Sequence, residues 1–168
     1  ERTKAIFINT PNNPTGRIYG EGVVSELASC LASHEKRVGH AIFLVADTPY
    51  AKLVFDGHRN PQFFRHHPST IIAHSHSKDL GLAGERIGYL AINPAAPDRE
   101  DLRAACAFNN RILGYVNAPA LMQMALERSL SDSVDVAAYA RLRNRLCEGL
   151  SAAGYDFIPP EGGFFIFP

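Results

Sequence analysis

Lys78 stands in the segment Ser75-His76-Ser77-Lys78-Asp79-Leu80-Gly81-Leu82-Ala83-Gly84-Glu85-Arg86-Ile87-Gly88-Tyr89, with serine hydroxyls at minus one and minus three and an arginine eight residues on. An amine attacks carbonyl carbon, and hydroxyls beside a guanidinium are donors for phosphate oxygens. A lysine between the two suits a group that bonds covalently through a carbonyl while its phosphate is gripped nearby. Pyridoxal phosphate (PLP), whose aldehyde forms a Schiff base with lysine, has that requirement. Taken alone, the segment also reads as a polar loop between two strands.

The elements around it are those of an α/β protein. Residues 4–9 read as a buried strand, ended by the turn-rich Thr10-Pro11-Asn12-Asn13-Pro14-Thr15-Gly16. Val23, Leu27 and Leu31 recur at helical spacing and predict a helix over 21–33. Further apolar runs predict strands over 41–46, closing on Asp47, then over 70–74 and 87–92. Strands separated by helix-length connections point to a three-layer α/β/α arrangement, a mostly parallel sheet with helices on both faces. The fourth strand could run antiparallel. Beyond Pro94 the chain turns helical, with helices expected over 98–113, capped by Asp98 with Asp101 as a capping box, over 118–130, with Met122, Leu126 and Leu130 on one face, and over 134–153. Gly154 fits the residue just past the last helix, whose Arg141, Arg143 and Arg145 read as its solvated side. Two short strands are expected over 156–158 and 163–167.

Ligands of open parallel sheets bind beyond the carboxyl ends of the strands. Asn13 follows the first strand, Asp47 and Tyr50 the second, and Ser75 to Lys78 the third, while Arg86 precedes the fourth. Asp47 ends an apolar strand, where a carboxylate needs a partner. It could face a pyridinium nitrogen, each stabilising the other's charge, or cap the next turn. Tyr50 could donate to a phenolate-like oxygen or place its hydroxyl at the surface. Asn12 to Gly16 is also a good turn on its own terms.

Asn13-Pro14-Thr15-Gly16, Asp47-x-x-Tyr50, Ser75-x-x-Lys78 and Arg86-Ile87-Gly88-Tyr89 resemble, in order and spacing, the motifs of class I/II aminotransferases, the fold-type-I PLP family. Asn110-Arg111-Ile112-Leu113-Gly114 and Pro160-Glu161-Gly162-Gly163-Phe164-Phe165 are similar to that family too. The resemblance implies part of a large PLP-binding domain over 1–133, then a linking helix and the start of a small α+β domain over 134–168. It implies that Lys78 holds PLP as a Schiff base and shuttles a proton, and that Asp47 pairs with the ring nitrogen. Tyr50 and Asn13 would bond the ring oxygen, Asn13 would also reach the substrate carboxylate, and Ser75, Ser77 and Arg86 would hold the phosphate. His76 stands where the family has an apolar or aromatic residue. The implied reaction moves an amino group between an amino acid and a 2-oxo acid, in a cytoplasmic homodimer. A C–S or C–C lyase of the same fold, or a non-catalytic sensor module of a transcription regulator, would carry the same motifs.

Composition narrows the remaining classes. Lysine plus arginine equal aspartate plus glutamate at 17 each, so no overall field favours nucleic acid or an acidic membrane. The longest apolar runs are too short to span a bilayer. His66, His67, His74 and His76 have no carboxylate or cysteine at ligand spacing, so no metal is expected. Gly81, Gly84 and Gly88 do not make a dinucleotide fingerprint. Cys30, Cys106 and Cys147 read as small buried apolar residues. The chain starts at Glu1 without methionine and stops just after Phe164-Phe165-Ile166-Phe167, as expected of a piece of a longer protein whose phosphate-cradling turn and ring-stacking aromatic precede Glu1 and whose carboxylate-binding arginine follows Pro168.

Overall fold

Four apolar runs pair into one sheet in the order β1 (Ala5–Asn9), β2 (Phe43–Asp47), β3 (Thr70–Ser75) and β4 (Gly88–Ile92). The computed structural model describes residues 2–168; Glu1, where the first expected domain begins, lies outside the described residues. β1, β2 and β3 are parallel, with Asn9 opposite Asp47 and Asp47 opposite Ala73. β4 returns antiparallel to β3, pairing Ser75 with Gly88 and His74 with Tyr89. The carboxyl ends of three strands and the start of the fourth thus share one edge, the edge where a mostly parallel sheet receives ligands.

Between β1 and β2 the chain forms α1 (Glu21–Val38), with Glu21 in its first turn and Lys36 and Arg37 in its last, each complementing the helix dipole. It runs five residues beyond the expected Ser33, because His34 to Arg37 tolerate helix and Gly39 is the first residue to go left-handed (φ 72°), its N–H bonding Glu35 O. Its buried row is Val24, Ala28 and Leu31 rather than the expected Val23, Leu27 and Leu31; Val23 faces solvent. Val24 and Leu31 pack with Ile42, Leu44, Ala46 and Phe63 of the short α2 (Phe63–His66), and Ile6, Ile8 and Ile72 close the core from the sheet. Even-numbered residues of β1, β2 and β3 therefore face α1, and odd-numbered ones, such as Phe7 and Val45, face the other way; the antiparallel β4 reverses the parity.

After β3 comes α3 (His76–Asp79), then a 3-10 turn (Ala83–Glu85), so the expected loop around Lys78 is a single helical turn. Beyond β4 lie α4 (Arg99–Ile112), α5 (Ala120–Glu127) and α6 (Val136–Ala152). α4 stands across a cleft of about 700 Å³ from Asp47, Ala73 and Ser75 on the odd face. Its expected cap does not form: Asp98 is left-handed (φ 50°) and its side chain accepts no capping bond. Met122 and Leu126 are half-buried while Leu130 is exposed.

The expected strands over 156–158 and 163–167 are absent; one isolated bridge joins Val54 to Gly162. Pro159 and Pro160 offer no N–H to a ladder, and the N–H groups of Glu161 and Gly162 go to Gly16 O, that of Gly163 to Leu53 O. Arg143 also departs from expectation. It points inward, pairing through both amino nitrogens with Asp56 and lying 4.9 Å over the Phe55 ring, while Leu142 and Leu146 are exposed. Cys30 is exposed and Cys106 and Cys147 are half-buried, because α4 and α6 have no fully covered face and Cys30 lies off the buried row of α1. No helix of the described residues is long and apolar enough to cross a membrane.

The β3–β4 ladder leaves no room for a side chain at Gly88. A Cβ there would enter the van der Waals envelope of His74 O and lie 3.1 Å from Ser75 Cα, both backbone atoms that no rotamer change can move. Gly88→Ala is expected to lower stability in urea unfolding by about 1–3 kcal/mol, the usual cost of overpacking; an unchanged midpoint would mean that the ladder opens freely beside Ser75.

Candidate active site

The register of β1 and β2 creates the first half of the site. Asn9 stands opposite Asp47, and its Nδ2 donates 2.9 Å to Asp47 Oδ2 and 3.2 Å to Asp47 O. Its Oδ1 accepts the N–H of Asn13 at 2.6 Å. The Asn13 side chain lies near enough to the Tyr50 hydroxyl to favour its ionised form. Asn9, which the sequence reading did not single out, thus ties Asp47 to Asn13, and three residues expected to converge do so through it. The only advance sign of Asn9 is its place at the end of an apolar strand.

Asp47 opens towards the cleft. Partial burial raises its carboxyl above the usual range, while the Asn9 bond and the charge of His74 pull it down. Tyr50 is buried, meeting Phe164 and Phe165 edge-on at 5.4 and 5.6 Å between centroids. Burial raises its hydroxyl, the nearby Asn13 side chain lowers it and the Asp47 charge raises it again, so Tyr50 stays a protonated donor at neutral pH.

The second half is built by the turn after β3. Ser75 caps α3, its Oγ accepting Ser77 N–H at 3.2 Å and donating to Ser77 Oγ at 2.7 Å. This local bonding explains why serines occupy both positions: a cap needs an oxygen at the first, and the second hydroxyl accepts from it. Lys78, half-buried, holds Nζ 5.4 Å from the centroid of Phe164, the ring that also meets Tyr50. Phe164 was noted only as part of a motif; here it spans from Tyr50 to Lys78.

Arg86 is the expected residue that the structure places least decisively. Its backbone is left-handed (φ 53°), its side chain is exposed and Nη1 donates to Ala83 O at 2.8 Å rather than to either serine. It lies two residues before Gly88, the partner of Ser75 in the ladder. A rotation of its side chain about that fixed backbone is what reaching a group held by the serines would require.

The histidines depart from the sequence reading. Asp79 does accompany His74 and His76, its Oδ2 lying 3.1 Å from a ring nitrogen of each. The spacing escaped notice because the three sit at i, i+2 and i+5 across a strand-to-helix junction, which fits neither period. Their donor atoms lie close enough together for a cation, but Lys52 Nζ stands 3.6 Å from the same oxygen and would repel one.

A carboxylate, a phenol beside an amide, two hydroxyls and an amine thus stand at one sheet edge. The pattern of the family described as aminotransferase class I and II matches residues 1–168. The chain is 31% identical over 174 residues to the aspartate/prephenate aminotransferase of Thermus thermophilus, a match covering 98% of this chain and 42% of that protein. It is 32% identical over 171 residues to histidinol-phosphate aminotransferase 2 of Methylococcus capsulatus, again covering 98% and 42%. A crystal structure of an amino transferase from Eubacterium rectale superposes with a TM-score of 0.93 at 38% identity, covering 96% of this chain and 40% of that one. The chain therefore spans about two-fifths of the length of the proteins it matches. With its sheet and its whole length in agreement, the chain belongs to the class I and II aminotransferases.

Proposed function

We propose that this chain is part of a PLP-dependent aminotransferase that moves an amino group between an amino acid and a 2-oxo acid, with Lys78 as the amine that bonds the cofactor's aldehyde. The observation that carries this reading is the hydrogen-bonded set Asp47–Asn9–Asn13, with Tyr50 beside it, standing at the same sheet edge as Lys78. The cofactor, when bound, supplies an electron sink for negative charge at the substrate Cα.

Every other role falls to the chain. Asp47 holds the ring nitrogen; its carboxyl, raised by partial burial, gains from a cationic partner what solvent gives it incompletely. Tyr50 and Asn13 donate to the ring oxygen, and Asn13 also reaches the substrate carboxylate. Ser75 and Ser77 hold the phosphate with Arg86, whose planar fork exchanges Ala83 O for phosphate oxygens. Lys78 Nζ, once free, moves a proton to and from the substrate carbon. We assign residues 1–133 to the large domain and 134–168 to a linking helix and small domain, in a cytoplasmic homodimer. The link between the two parts is anchored on the Lys78 turn, since Val134 N–H bonds Asp79 O at 2.8 Å.

Four lysines make the test clean: Lys4, Lys36, Lys52 and Lys78. Borohydride reduction of the PLP-loaded full-length protein, followed by peptide mass mapping, is expected to place the adduct on Lys78. An adduct on any of the other three overturns the assignment.

A further inference from the structure

Behind the residues assigned to the cofactor, His74 of β3 and His76 and Asp79 of α3 are buried to within 9, 2 and 0% exposure. His74 Nδ1 lies 2.8 Å from Thr48 O and Nε2 lies 3.1 Å from Asp79 Oδ2. His76 Nδ1 and Lys52 Nζ approach the same carboxylate oxygen at 3.1 and 3.6 Å. The Tyr89 ring lies over both imidazoles, 5.1 and 5.8 Å between centroids.

Hydrogen counting decides how this cluster is bonded. A carbonyl oxygen only accepts, so at 2.8 Å His74 Nδ1 must carry a hydrogen towards Thr48 O. Thr48 Oγ1, at 3.3 Å, is the more distant partner. A bare Nε2 would then oppose a carboxylate lone pair at 3.1 Å in a site without solvent, so a hydrogen lies there too. Burial works to raise Asp79, but its bonds to His74 and His76 and their charges outweigh that and hold it below the usual carboxylate range. The hydrogen therefore joins His74 Nε2 to the Asp79 carboxylate.

The two ends of this bridge are informative. Thr48 follows Asp47, and Asp79 follows Lys78. We propose that Asp79 and a doubly protonated His74 form a positioning clamp that fixes the turn bearing Lys78 against the end of β2 bearing Asp47. Lys52 extends the clamp, donating to Leu130 O and Asp132 O at 2.7 Å each. The inference rests on the roles given above to Lys78 and Asp47. The groups facing His74 are Thr48, Asp79, His76, Tyr89, Lys52 through Asp79, and Asp47. A clamp matters because the amine and the carboxylate must meet opposite ends of one rigid ring, and an error near 1 Å costs about 10²-fold in rate.

The test uses the PLP-loaded full-length protein and two variants. Nitrogen-15 NMR of labelled histidine is expected to show hydrogens on both ring nitrogens of His74 at neutral pH, and on one only in Asp79→Asn, which keeps the volume but removes the charge. In Asp79→Asn, kcat should fall about 10²-fold with KM changed less than about threefold, because geometry is lost and substrate binding is not. His74→Gln leaves the Asp79 carboxylate without its cation, so the pH midpoint of the cofactor's visible absorption change should rise by about one unit. A wild-type His74 with one bare ring nitrogen overturns the clamp. So does an unchanged kcat in Asp79→Asn with an unchanged midpoint in His74→Gln, which serves alone if Asp79→Asn does not fold. Borohydride mapping separates the two levels: an adduct on Lys78 with unaltered variants refutes only the clamp, whereas an adduct elsewhere refutes the assignment of Lys78.

Discussion

Lys78→Ala in the full-length protein is expected to lower transamination by about 10⁴-fold or more, since one side chain is both the group that bonds the cofactor and the base that moves the proton. Its Nζ lies 5.4 Å from the Phe164 ring and is only half-exposed, so no neighbour takes its place by a small movement. Lys52 is the one other lysine near the turn, and its ammonium is committed to Leu130 O, Asp132 O and Asp79. The fold should survive, because Lys78 itself donates no hydrogen bond that holds α3; the turn is fixed by Ser75, Asp79 and Val134. Lys78→Arg sharpens the result. It keeps the positive charge over Phe164 but presents a guanidinium that stays protonated and cannot bond the aldehyde. Both variants should therefore be inactive by stopped-flow and steady-state assay, with unfolding midpoints near that of the parent. Activity retained in Lys78→Arg would assign Lys78 an electrostatic role alone.

The positions of these groups were legible in the sequence to different depths. The strands declared themselves as short apolar runs, the first three leading into polar residues of the site, although Phe7 of β1 and Leu90 of β4 are exposed rather than buried. Asp47 and Lys78 stood out as charges at the ends of such runs. Asn9 did not, since an amide at a strand end is ordinary and only the β1–β2 register shows that it bridges Asp47 to Asn13. His74 and Asp79 were hidden for a related reason: their bond crosses from a strand to a helical turn, where neither period applies. The buried row of α1 was missed by one residue because Val23, Val24, Leu27, Ala28 and Leu31 make a broad apolar face, whose centre is set by where the sheet lies. Arg143 shows the opposite failure. Charge alone placed it in solvent, whereas a guanidinium can cover Phe55 and pair with Asp56 while its stem packs inward. The final strands were overcalled because apolar composition without a neighbouring edge does not make a ladder.

Asp47→Asn should separate two effects that the carboxylate combines. In the loaded full-length protein the amide keeps the shape and an acceptor for Asn9 but cannot hold the ring nitrogen protonated. Turnover should fall by about 10²–10³-fold, the usual loss when one preorganised charge is removed from a site, while reduction with borohydride still places the cofactor on Lys78. In the cofactor-free protein the sign is opposite. Partial burial raises the folded carboxyl of Asp47, so the folded state keeps that proton to higher pH than the unfolded chain does. Below the unfolded value both states are protonated and Asp47 costs nothing; above the folded value its ionisation opposes folding. Asp47→Asn should therefore raise the thermal midpoint of the cofactor-free protein at neutral pH and leave it unchanged well below the carboxylate range. The gain should be small, because Asp47 remains open to solvent and Asn9 already bonds it. A neutral-pH midpoint that falls, together with unchanged turnover, would make Asp47 a turn cap. A rise with turnover lost would mark a carboxylate kept against the stability of the empty site for the charge it presents to the cofactor.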